Sequence, residues 1–359
     1  MTDGAIGYVT YDYGMKGQRL VSRHEAKVAM ADMKWVFYDF FIIEDLKDHS
    51  LWFIANGHTE AAPTLWKKME DVIAGKMAGL RASSLTETYP LSIHPDCTPD
   101  EYALALRKLM TYLLAGDVYV TNFTSTLTVD SPCPPYTFFS RLRRDNPSPF
   151  GAYLQYGSYQ IISSSMERLL HIDGRHIETR PIKGTRRRGK TETEDEVLRK
   201  ELAASQKDRS ELLMIVDLER NDLHKICQPG SVTVPTLFSV EDYASVFHLV
   251  ASVTGILLPD QTAMDALTAL FPGGSITGAP KRRAMEIIDE LESSRRQLYT
   301  GTVGYLSLDG NCDLNIVIRT AVRQGDRYYI GVGGGITAES DRDFEYEESG
   351  KRPRPCSRP

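Results

Sequence analysis

The sequence is poor in cysteine, and its few cysteines are scattered. Five cysteines occur in 359 residues, and no two of them form a CxxC pair. An odd number at such spacing argues against a disulfide framework and against a structural zinc site. The eight histidines contain no HExxH pattern either, so that kind of zinc enzyme is not expected. A reducing cytoplasm is the expected compartment.

Long apolar runs and an excess of positive charge are also missing. The longest apolar run, residues 35–43, has nine residues and contains Asp39, so it is too short to span a bilayer. The first residues show no basic stretch followed by an apolar one, and we expect no secretory signal. The net charge of −6, from 42 basic and 48 acidic residues, argues against a general nucleic-acid or membrane-surface binder.

Two glycine-containing motifs suggest nucleotide binding. Residues 184–191 match GxxxxGK[ST], which leaves a P-loop NTPase as a remote alternative. That motif works only where a buried parallel strand leads into a helix, and here the preceding segment alternates polar residues and contains Pro181. Residues 331–335 read GVGGG without the third glycine of a dinucleotide fold. They are either a glycine-rich strand end or a place where backbone amides approach an anionic ligand.

The order of predicted elements indicates antiparallel sheet. The last third reads as strands joined by tight Asp309-Gly310 and Gly325-Asp326 turns, which make hairpins. A Thr98-Pro-Asp-Glu101 capping box predicts a helix from residue 99 that ends at Gly116, and residues 208–223 have helical spacing. The sequence thus predicts an α+β protein built on antiparallel sheet with helices outside. Among the strands that it predicts are residues 5–13, 35–43, 51–55, 118–129 and 313–322.

Several residues are candidates for chemistry. Asp208 and Glu211, like Glu345 and Glu348, stand three apart and would share a helix face. Such pairs are either solvated faces or carboxylates around a hard cation such as Mg²⁺. Lys183 lies among arginines, and neighbouring positive charge favours the neutral amine of a nucleophilic lysine, although a solvated basic turn is the simpler interpretation.

Two charged or polar residues interrupt apolar predicted strands. His248 lies in VFHLVASV and Arg319 in NIVIRTAV. A lone histidine in such a strand is more often a satisfied core residue than a catalyst. A buried arginine needs a partner, and a ligand carboxylate bound through two hydrogen bonds is one candidate.

Seven ordered motifs decide among these alternatives. They are PIKGT at 181–185, LMIVDLERND at 213–222, HLVASVTG at 248–255, FPGGSITGAPKRRAMEIIDELE at 271–292, GTVGY at 301–305, IRTAV at 318–322 and GGGI at 333–336. The set resembles the chorismate-utilising enzymes, which include anthranilate, aminodeoxychorismate, isochorismate and salicylate synthases. The resemblance runs from about residue 7 to 348 and implies a large antiparallel β-sheet sandwich flanked by helices.

The resemblance also implies roles for individual residues. Glu211 and Glu348 match magnesium-binding glutamates, with Asp208 and Glu345 acting through water, and Glu167 matches the acid that protonates the leaving C4 hydroxyl. The positions that match substrate-binding ones are Thr185, Ser275, Tyr299, Arg319, Gly333, Gly334 and Gly335. His248 is expected near the ring with a catalytic role, and Lys183 is expected to be the nucleophile.

Lys183 also indicates the branch of the family. Aminodeoxychorismate synthases carry lysine there, whereas anthranilate and isochorismate enzymes usually carry alanine. We therefore expect Mg²⁺-dependent amination of chorismate to 4-amino-4-deoxychorismate, a p-aminobenzoate and folate precursor, through a covalent lysine adduct. Anthranilate synthase is the alternative. No glutaminase motif is present, so ammonia is expected from a separate glutamine amidotransferase subunit or from free ammonium.

The resemblance suggests three regions. Residues 1–92 are expected to be a remnant of the family's amino-terminal region, without its tryptophan site and hence without feedback inhibition. Residues 93–348 are expected to form the chorismate-binding catalytic domain. Residues 349–359 form an atypical tail, because PRPCSRP cannot continue the helix expected there.

Overall fold

The computed structural model of the protein describes residues 3–77 and 87–340. Its α-helices follow the capping signals closely. Thr98 and Glu101 form the expected capping box, and Gly116 ends that helix in a left-handed conformation (φ +78°). The described helices are α1 (Tyr11–Gly17), α2 (Ala62–Met77), α3 (Pro99–Ala115), α4 (Pro135–Asp145), α5 (Glu192–Ala204), α6 (Gln206–His224), α7 (Ala263–Leu270) and α8 (Lys281–Leu291).

The strands form one nine-stranded, one seven-stranded and one two-stranded sheet within the described ranges. The largest runs in space as β11 (Ile182–Arg187), β13 (Val246–Ile256), β10 (His176–Arg180), β9 (Arg168–Asp173), β16 (Cys312–Asn315), β15 (Thr302–Ser307), β1 (Gly4–Val9) and β2 (Met33–Phe37), with β12 (Thr233–Asp242) beside β13. The second runs as β14 (Gly278–Ala279), β6 (Val120–Asp130), β18 (Arg327–Thr337), β17 (Thr320–Gln324), β8 (Tyr159–Ser165) and β7 (Phe150–Tyr156), with β5 (Ser92–Pro95) beside β6. The third pairs β3 (Phe40–Glu44) with β4 (Leu51–Ala55).

Every strand pairing in the described ranges is antiparallel. The two large sheets pack face to face. Tyr8 and Val303 of the nine-stranded sheet share a buried cluster with Ile161 and Val322 of the seven-stranded one. Helix α6 packs on β13, and helices α3 and α8 pack beside β6. The predicted α+β fold with an antiparallel sandwich flanked by helices is confirmed.

Three predicted strands are wrong in part. The first ends at Val9, because the Thr10 hydroxyl accepts the Tyr13 amide and starts α1. The strand predicted over residues 35–43 is two strands in different sheets, β2 and β3. The strand predicted over residues 313–322 breaks between β16 and β17, where the Ser165 hydroxyl donates to the carbonyl oxygen of Ile316 (2.6 Å). Local side-chain hydrogen bonds of this kind compete with the ladder.

The expected regions can be placed on the sheets. Strands β1 and β2 extend the nine-stranded sheet beyond β15, and the proposed boundary at residue 92 coincides with the start of β5. The division into three regions stays a prediction, and residues 349–359 lie outside the described ranges. No helix in the described part of the chain is long and apolar enough to cross a membrane.

The core beneath the helices sets the stability of the sandwich. Leu249 of β13 is fully buried in the cluster under α6, whereas Leu104 of α3 is 63% exposed. We expect Leu249→Ala to lower the free energy of unfolding by roughly 2–5 kcal/mol, because it leaves a cavity. Leu104→Ala should change it by less than about 0.5 kcal/mol. Urea unfolding of both variants measures the difference, and equal losses would contradict this assignment of the core.

Candidate active site

Lys183 points its amine at the FPGGSITGA segment. It lies on edge strand β11 opposite Leu249 and is half-buried. Its Nζ donates to the carbonyl oxygen of Ser275 at 2.7 Å. A Cβ built on Gly335 would lie 3.3 Å from the same Nζ. Three segments distant in sequence therefore meet at this amine, which is not a solvated basic turn.

Two carboxylates of α6 lie beside the amine. Glu211 is buried, and its Oε2 would lie 3.6 Å from a Cβ on Gly335. Asp208, one turn earlier, packs on Gly184 and accepts a hydrogen bond from Arg186 at 3.0 Å. Their spacing of three residues puts both on the same helix face, as predicted. The other predicted pair, Glu345 and Glu348, lies outside the described residues.

Glu167 is a buried carboxyl on the connection between β8 and β9. Only 3% of the residue is exposed, and its Oε1 accepts the Ile182 amide at 3.2 Å. Burial raises the pKa of Glu167, because the charged form loses its solvation, while the nearby charge of Lys183 opposes the rise. Ser275 also lies near enough to lower this pKa, although its hydroxyl has no hydrogen-bond partner within 3.5 Å in the described structure. The result is an acid that retains its proton to a higher pH than an exposed glutamate.

His248 and Thr185 form a second polar pair, adjacent to Lys183 along β11 and β13. They are register partners on β13 and β11, and the Thr185 Oγ1 lies 3.0 Å from His248 Nδ1. His248 is buried, with the Tyr243 ring 5.2 Å away between centroids. The histidine is thus oriented by a hydroxyl on the strand that carries Lys183.

The glycine-rich segment lies in the interior of β18 and not at a strand end, so that alternative is wrong. In β18, Gly333 pairs with Thr124, Gly334 with Phe123 and Gly335 with Asn122 of β6. The absence of a side chain on Gly335 keeps the space between Lys183 and Glu211 open. Further along the strand, a Cβ on Gly331 would overlap the Tyr299 ring. Tyr299 can therefore lie flat on this strand only because residue 331 is glycine.

Arg319 departs from the prediction. The sequence predicted a buried arginine inside a strand, but Arg319 lies in the break after β16, is exposed and has a left-handed backbone (φ +50°). Its carbonyl oxygen accepts the Ser164 amide at 3.0 Å, which holds the turn. The prediction of burial is wrong, because the ladder partner that would have covered the side chain is replaced by this turn.

The arginines around Lys183 are paired with carboxylates. The pairs are Arg180 with Glu241, Arg186 with Glu201 and Asp208, Arg187 with Glu194, and Arg188 with Asp195. Their positive charges are therefore compensated locally. The surroundings of the Lys183 amine are set by Glu167, Glu211 and the Ser275 carbonyl rather than by a cationic cluster.

The P-loop interpretation is wrong, because the segment begins as an antiparallel strand and the amides that follow are bonded to carboxylates of the protein. Residues 184–187 belong to an antiparallel edge strand. The Gly189 amide donates to Asp195 at 2.7 Å and the Lys190 amide donates to Glu194 at 2.6 Å. Amides that would have to cradle phosphate are thus occupied by the protein's own carboxylates.

Three buried ionisable residues, Glu219 and the pair of Glu292 and Arg296, were not singled out from the sequence. Glu219, on the inner face of α6, accepts a hydrogen bond from Thr179 (3.1 Å), and burial and the charge of Glu167 raise its pKa well above the ordinary value. Glu292 and Arg296 form a buried ion pair (2.6 Å). A charged residue within the apolar stripe of a helix was the available signal for Glu219. No comparable pattern marked the pair of Glu292 and Arg296.

The geometry matches one family of known proteins. Residues 1–355 match the family described as chorismate binding enzyme. The chain belongs to this family. It is 38% identical over 97% of its length to aminodeoxychorismate synthase component 1 of Bacillus subtilis, of which it covers 75%. It is 37% identical over 96% of its length to an anthranilate synthase component 1 of Haloarcula marismortui, of which it covers 73%.

A solved structure of the family shares the fold. Anthranilate synthase component I of Streptococcus pneumoniae superposes with a TM-score of 0.88 at 32% identity, covering 97% of this chain and 79% of that one. This chorismate-binding enzyme is thus similar to proteins of both names at nearly equal identity, so overall likeness does not separate the branches.

Gly335 offers a test of the site that leaves the fold intact. We expect Gly335→Ala to lower the affinity for chorismate, or kcat/KM, by at least roughly tenfold, since its methyl group would displace the Lys183 amine. Gly17→Ala is the matched control, because a Cβ there meets nothing within 4 Å. Calorimetric titration with chorismate and melting temperatures measure both variants. Unchanged chorismate binding and turnover in Gly335→Ala would contradict the assignment.

Proposed function

We propose that this chorismate-binding enzyme converts chorismate and ammonia to 4-amino-4-deoxychorismate and water through a covalent adduct on Lys183. The observation that carries the proposal is the amine itself, 2.7 Å from the Ser275 carbonyl and facing the gap at Gly335. The resemblance implies that an anthranilate synthase has alanine at this position, and alanine cannot form the adduct. The likeness to the Bacillus subtilis relative agrees with this branch but does not distinguish it from the other.

In the first step the neutral Lys183 amine attacks ring carbon C2. The two ring double bonds shift, the C4–O bond breaks, and the hydroxyl leaves as water with the proton of Glu167. General acid catalysis suits a carboxyl that burial keeps protonated. Nucleophile and acid lie close enough for the Lys183 charge to act on Glu167.

One proton serves both groups before this step. With the proton on Glu167, the lysine is a free amine and the acid is ready. With it on Lys183, both groups are charged and neither can act. Burial raises the pKa of Glu167, because desolvation penalises its charged form. The cationic surroundings inferred from the sequence are not found, since the arginines around Lys183 are paired with carboxylates.

In the second step ammonia attacks C4. The double bonds shift back, the C2–N bond to Lys183 breaks, and the lysine leaves as a neutral amine. The new ammonium group then returns a proton to Glu167, so that acid and nucleophile are restored. The net reaction consumes chorismate and ammonia and releases water.

Substrate carboxylates need partners once they leave water. The resemblance assigns the enolpyruvyl carboxylate to Tyr299, Arg319 and the amides of Gly333–Gly335. Arg319 lies on the turn after β16 and is exposed, and its guanidinium would bind this carboxylate through two hydrogen bonds. Thr185 and His248 would line the ring, and His248 would act there as a hydrogen-bonding group that Thr185 orients.

Magnesium fits the carboxylates of α6. Glu211 supplies carboxylate oxygens of the kind Mg²⁺ prefers, close to the amine that must meet the ring, and Asp208 would act through water. Among the described residues, no three metal-binding side chains are grouped together, and the remaining ligands would be Glu348 and, through water, Glu345. When bound, the ion would neutralise the ring carboxylate of chorismate.

A partner subunit and a compartment complete the proposal. We expect ammonia from a glutamine amidotransferase subunit, as the component 1 name of the relatives suggests, or from free ammonium. We also expect a cytoplasmic enzyme. Cys227 and Cys312 are buried thiols whose pKa burial raises to about 11 and about 12, which suits a reducing compartment.

Anthranilate synthesis is the second candidate. It is favoured by the likeness to the Haloarcula marismortui relative and the Streptococcus pneumoniae structure. Chorismate, Mg²⁺ and an ammonium salt separate the two reactions. Anthranilate is fluorescent and forms without a further enzyme, whereas aminodeoxychorismate needs a lyase to become p-aminobenzoate.

The first test is removal of the nucleophile. We expect Lys183→Ala to lose aminodeoxychorismate formation with ammonium as donor by at least roughly 10³-fold, because the adduct cannot form. Lys190→Ala, which removes the exposed lysine of the GxxxxGK motif, should retain full activity. Chromatography of the products measures both, and full activity in Lys183→Ala would refute the lysine adduct.

The second test is the pH dependence of kcat at saturating ammonia. The reaction needs protonated Glu167, whose pKa is raised by burial. Activity should therefore persist above the ordinary titration range of a glutamate and fall as pH rises through the raised value. Glu167→Gln should lose roughly 10²- to 10⁴-fold in kcat, since an amide donates no proton. If the falling limb is the same in Glu167→Gln, another group supplies the proton.

A further inference from the structure

Arg296 and Glu292 form a buried ion pair close to the proposed site. Each side chain is only 3% exposed. Glu292 accepts two hydrogen bonds from the guanidinium, from Nε at 2.9 Å and from Nη2 at 2.6 Å. Apolar residues of similar volume can often replace a buried ion pair without loss of stability. Stability alone therefore does not account for this pair.

The other guanidinium donors bind three separate segments. Nη1 donates to the Ile276 carbonyl at 2.8 Å and to the Thr300 hydroxyl at 3.2 Å. Nη2 donates to the Asn122 carbonyl at 2.6 Å, and the group stacks over the Tyr11 ring, 4.8 Å from its centroid. All five N–H groups are used, which only the planar arginine fork allows.

Each acceptor is next to a residue of the proposed site. Ile276 follows Ser275, whose carbonyl receives the Lys183 amine. Asn122 is the register partner of Gly335. Thr300 follows Tyr299, whose own amide donates to the Arg296 carbonyl at 3.0 Å.

Glu292 extends the same arrangement to the part of β6 that pairs with β18. We call β18, which carries Gly333–Gly335, the glycine strand. Its Oε1 accepts both the amide (2.9 Å) and the hydroxyl (2.8 Å) of Thr124. Thr124 is the register partner of Gly333, at a point where a Cβ on Gly333 would meet the Thr124 backbone. The pair thus holds β6 at two places opposite the glycines.

We propose that Arg296 is a positioning residue that fixes the Lys183 acceptor, the glycine strand and Tyr299 relative to one another. This inference rests on the proposed function, because it assigns the geometry of that site to a group that does not touch the substrate. A displacement of about 1 Å at a reacting group costs on the order of 10²-fold in rate. Without the fork, the segments at Ile276, Asn122 and Thr300 lose a side chain that hydrogen-bonds to all three, while the backbone hydrogen bond from the Asn122 amide to the Thr277 carbonyl (2.8 Å) remains.

The experiment compares R296K with the double variant E292Q/R296M in the full chain. R296K keeps the charge but cannot reach all three segments. The double variant leaves no buried charge behind. Its melting temperature should therefore exceed that of the single variant R296M, which leaves the Glu292 carboxylate without its cation. We expect kcat to fall roughly 100-fold in both R296K and the double variant. Recovery of kcat together with the melting temperature in the double variant would show a purely structural pair.

A second readout reports on Lys183 without turnover. An amine-acylating reagent followed by peptide mass spectrometry gives the acylation rate of Lys183 relative to exposed Lys190 in the same chain. In the wild type, chorismate should protect Lys183. In R296K the relative rate should change at least threefold and the protection should weaken, and an unchanged rate and protection would overturn the proposal.

The control is the neighbouring pair of Arg295 and Asp12 (2.6 Å), in which Asp12 is also buried. R295M/D12N should leave kcat and Lys183 acylation unchanged, and a loss equal to that of R296K would make the effect non-specific. The two proposals can fail separately. If the wild type yields anthranilate, the proposed reaction is wrong, but the acylation result still tests the role of Arg296.

Discussion

The hydrogen bond from Lys183 to the Ser275 carbonyl is the contact on which the site depends. It joins an edge strand of the nine-stranded sheet to the turn that precedes β14 of the seven-stranded sheet. A half-buried amine must donate hydrogen bonds, since an unsatisfied one would be costly. With its direction set by a backbone carbonyl, the amine faces the space that Gly335 leaves open, and the carboxylate of Glu211 borders the same space.

The proposed acid and the proposed nucleophile are held by neighbouring residues of one strand. Glu167 accepts the Ile182 amide, one residue before Lys183, so a single strand positions both groups. Glu219 adds a further carboxyl nearby, and its charge and that of Glu167 disfavour each other. Burial of these two carboxyls favours their protonated forms.

Much of the fold and the site could be predicted from the sequence, for reasons that differ between residues. Capping boxes and the helical spacing of α6 are local, so Thr98 and the Asp208–Glu211 face were predicted correctly. Lys183 and Ser275 were identified from the ordered motifs, and Glu167 from the family resemblance alone. The prediction that Arg319 is buried in a strand was wrong, because the break after β16 depends on hydrogen bonds from β8, which is some 150 residues away in the chain. The Arg296 pair was missed because the long-range acceptors of the guanidinium are the backbone carbonyls of Ile276 and Asn122, which carry no sequence signal.

The GxxxxGK segment shows how long-range context overrides a motif. The same residues that could bind phosphate lie beside α5, whose first turn carries Glu194 and Asp195. These carboxylates occupy the amides of Gly189 and Lys190 and neutralise Arg187 and Arg188. The segment therefore does not offer these groups to an anion. Lys183, on the same strand, donates to the Ser275 carbonyl instead. Because Arg186, Arg187 and Arg188 are paired with carboxylates of α5 and α6, the surroundings of the Lys183 amine are set by carboxyls and a backbone carbonyl and not by cations.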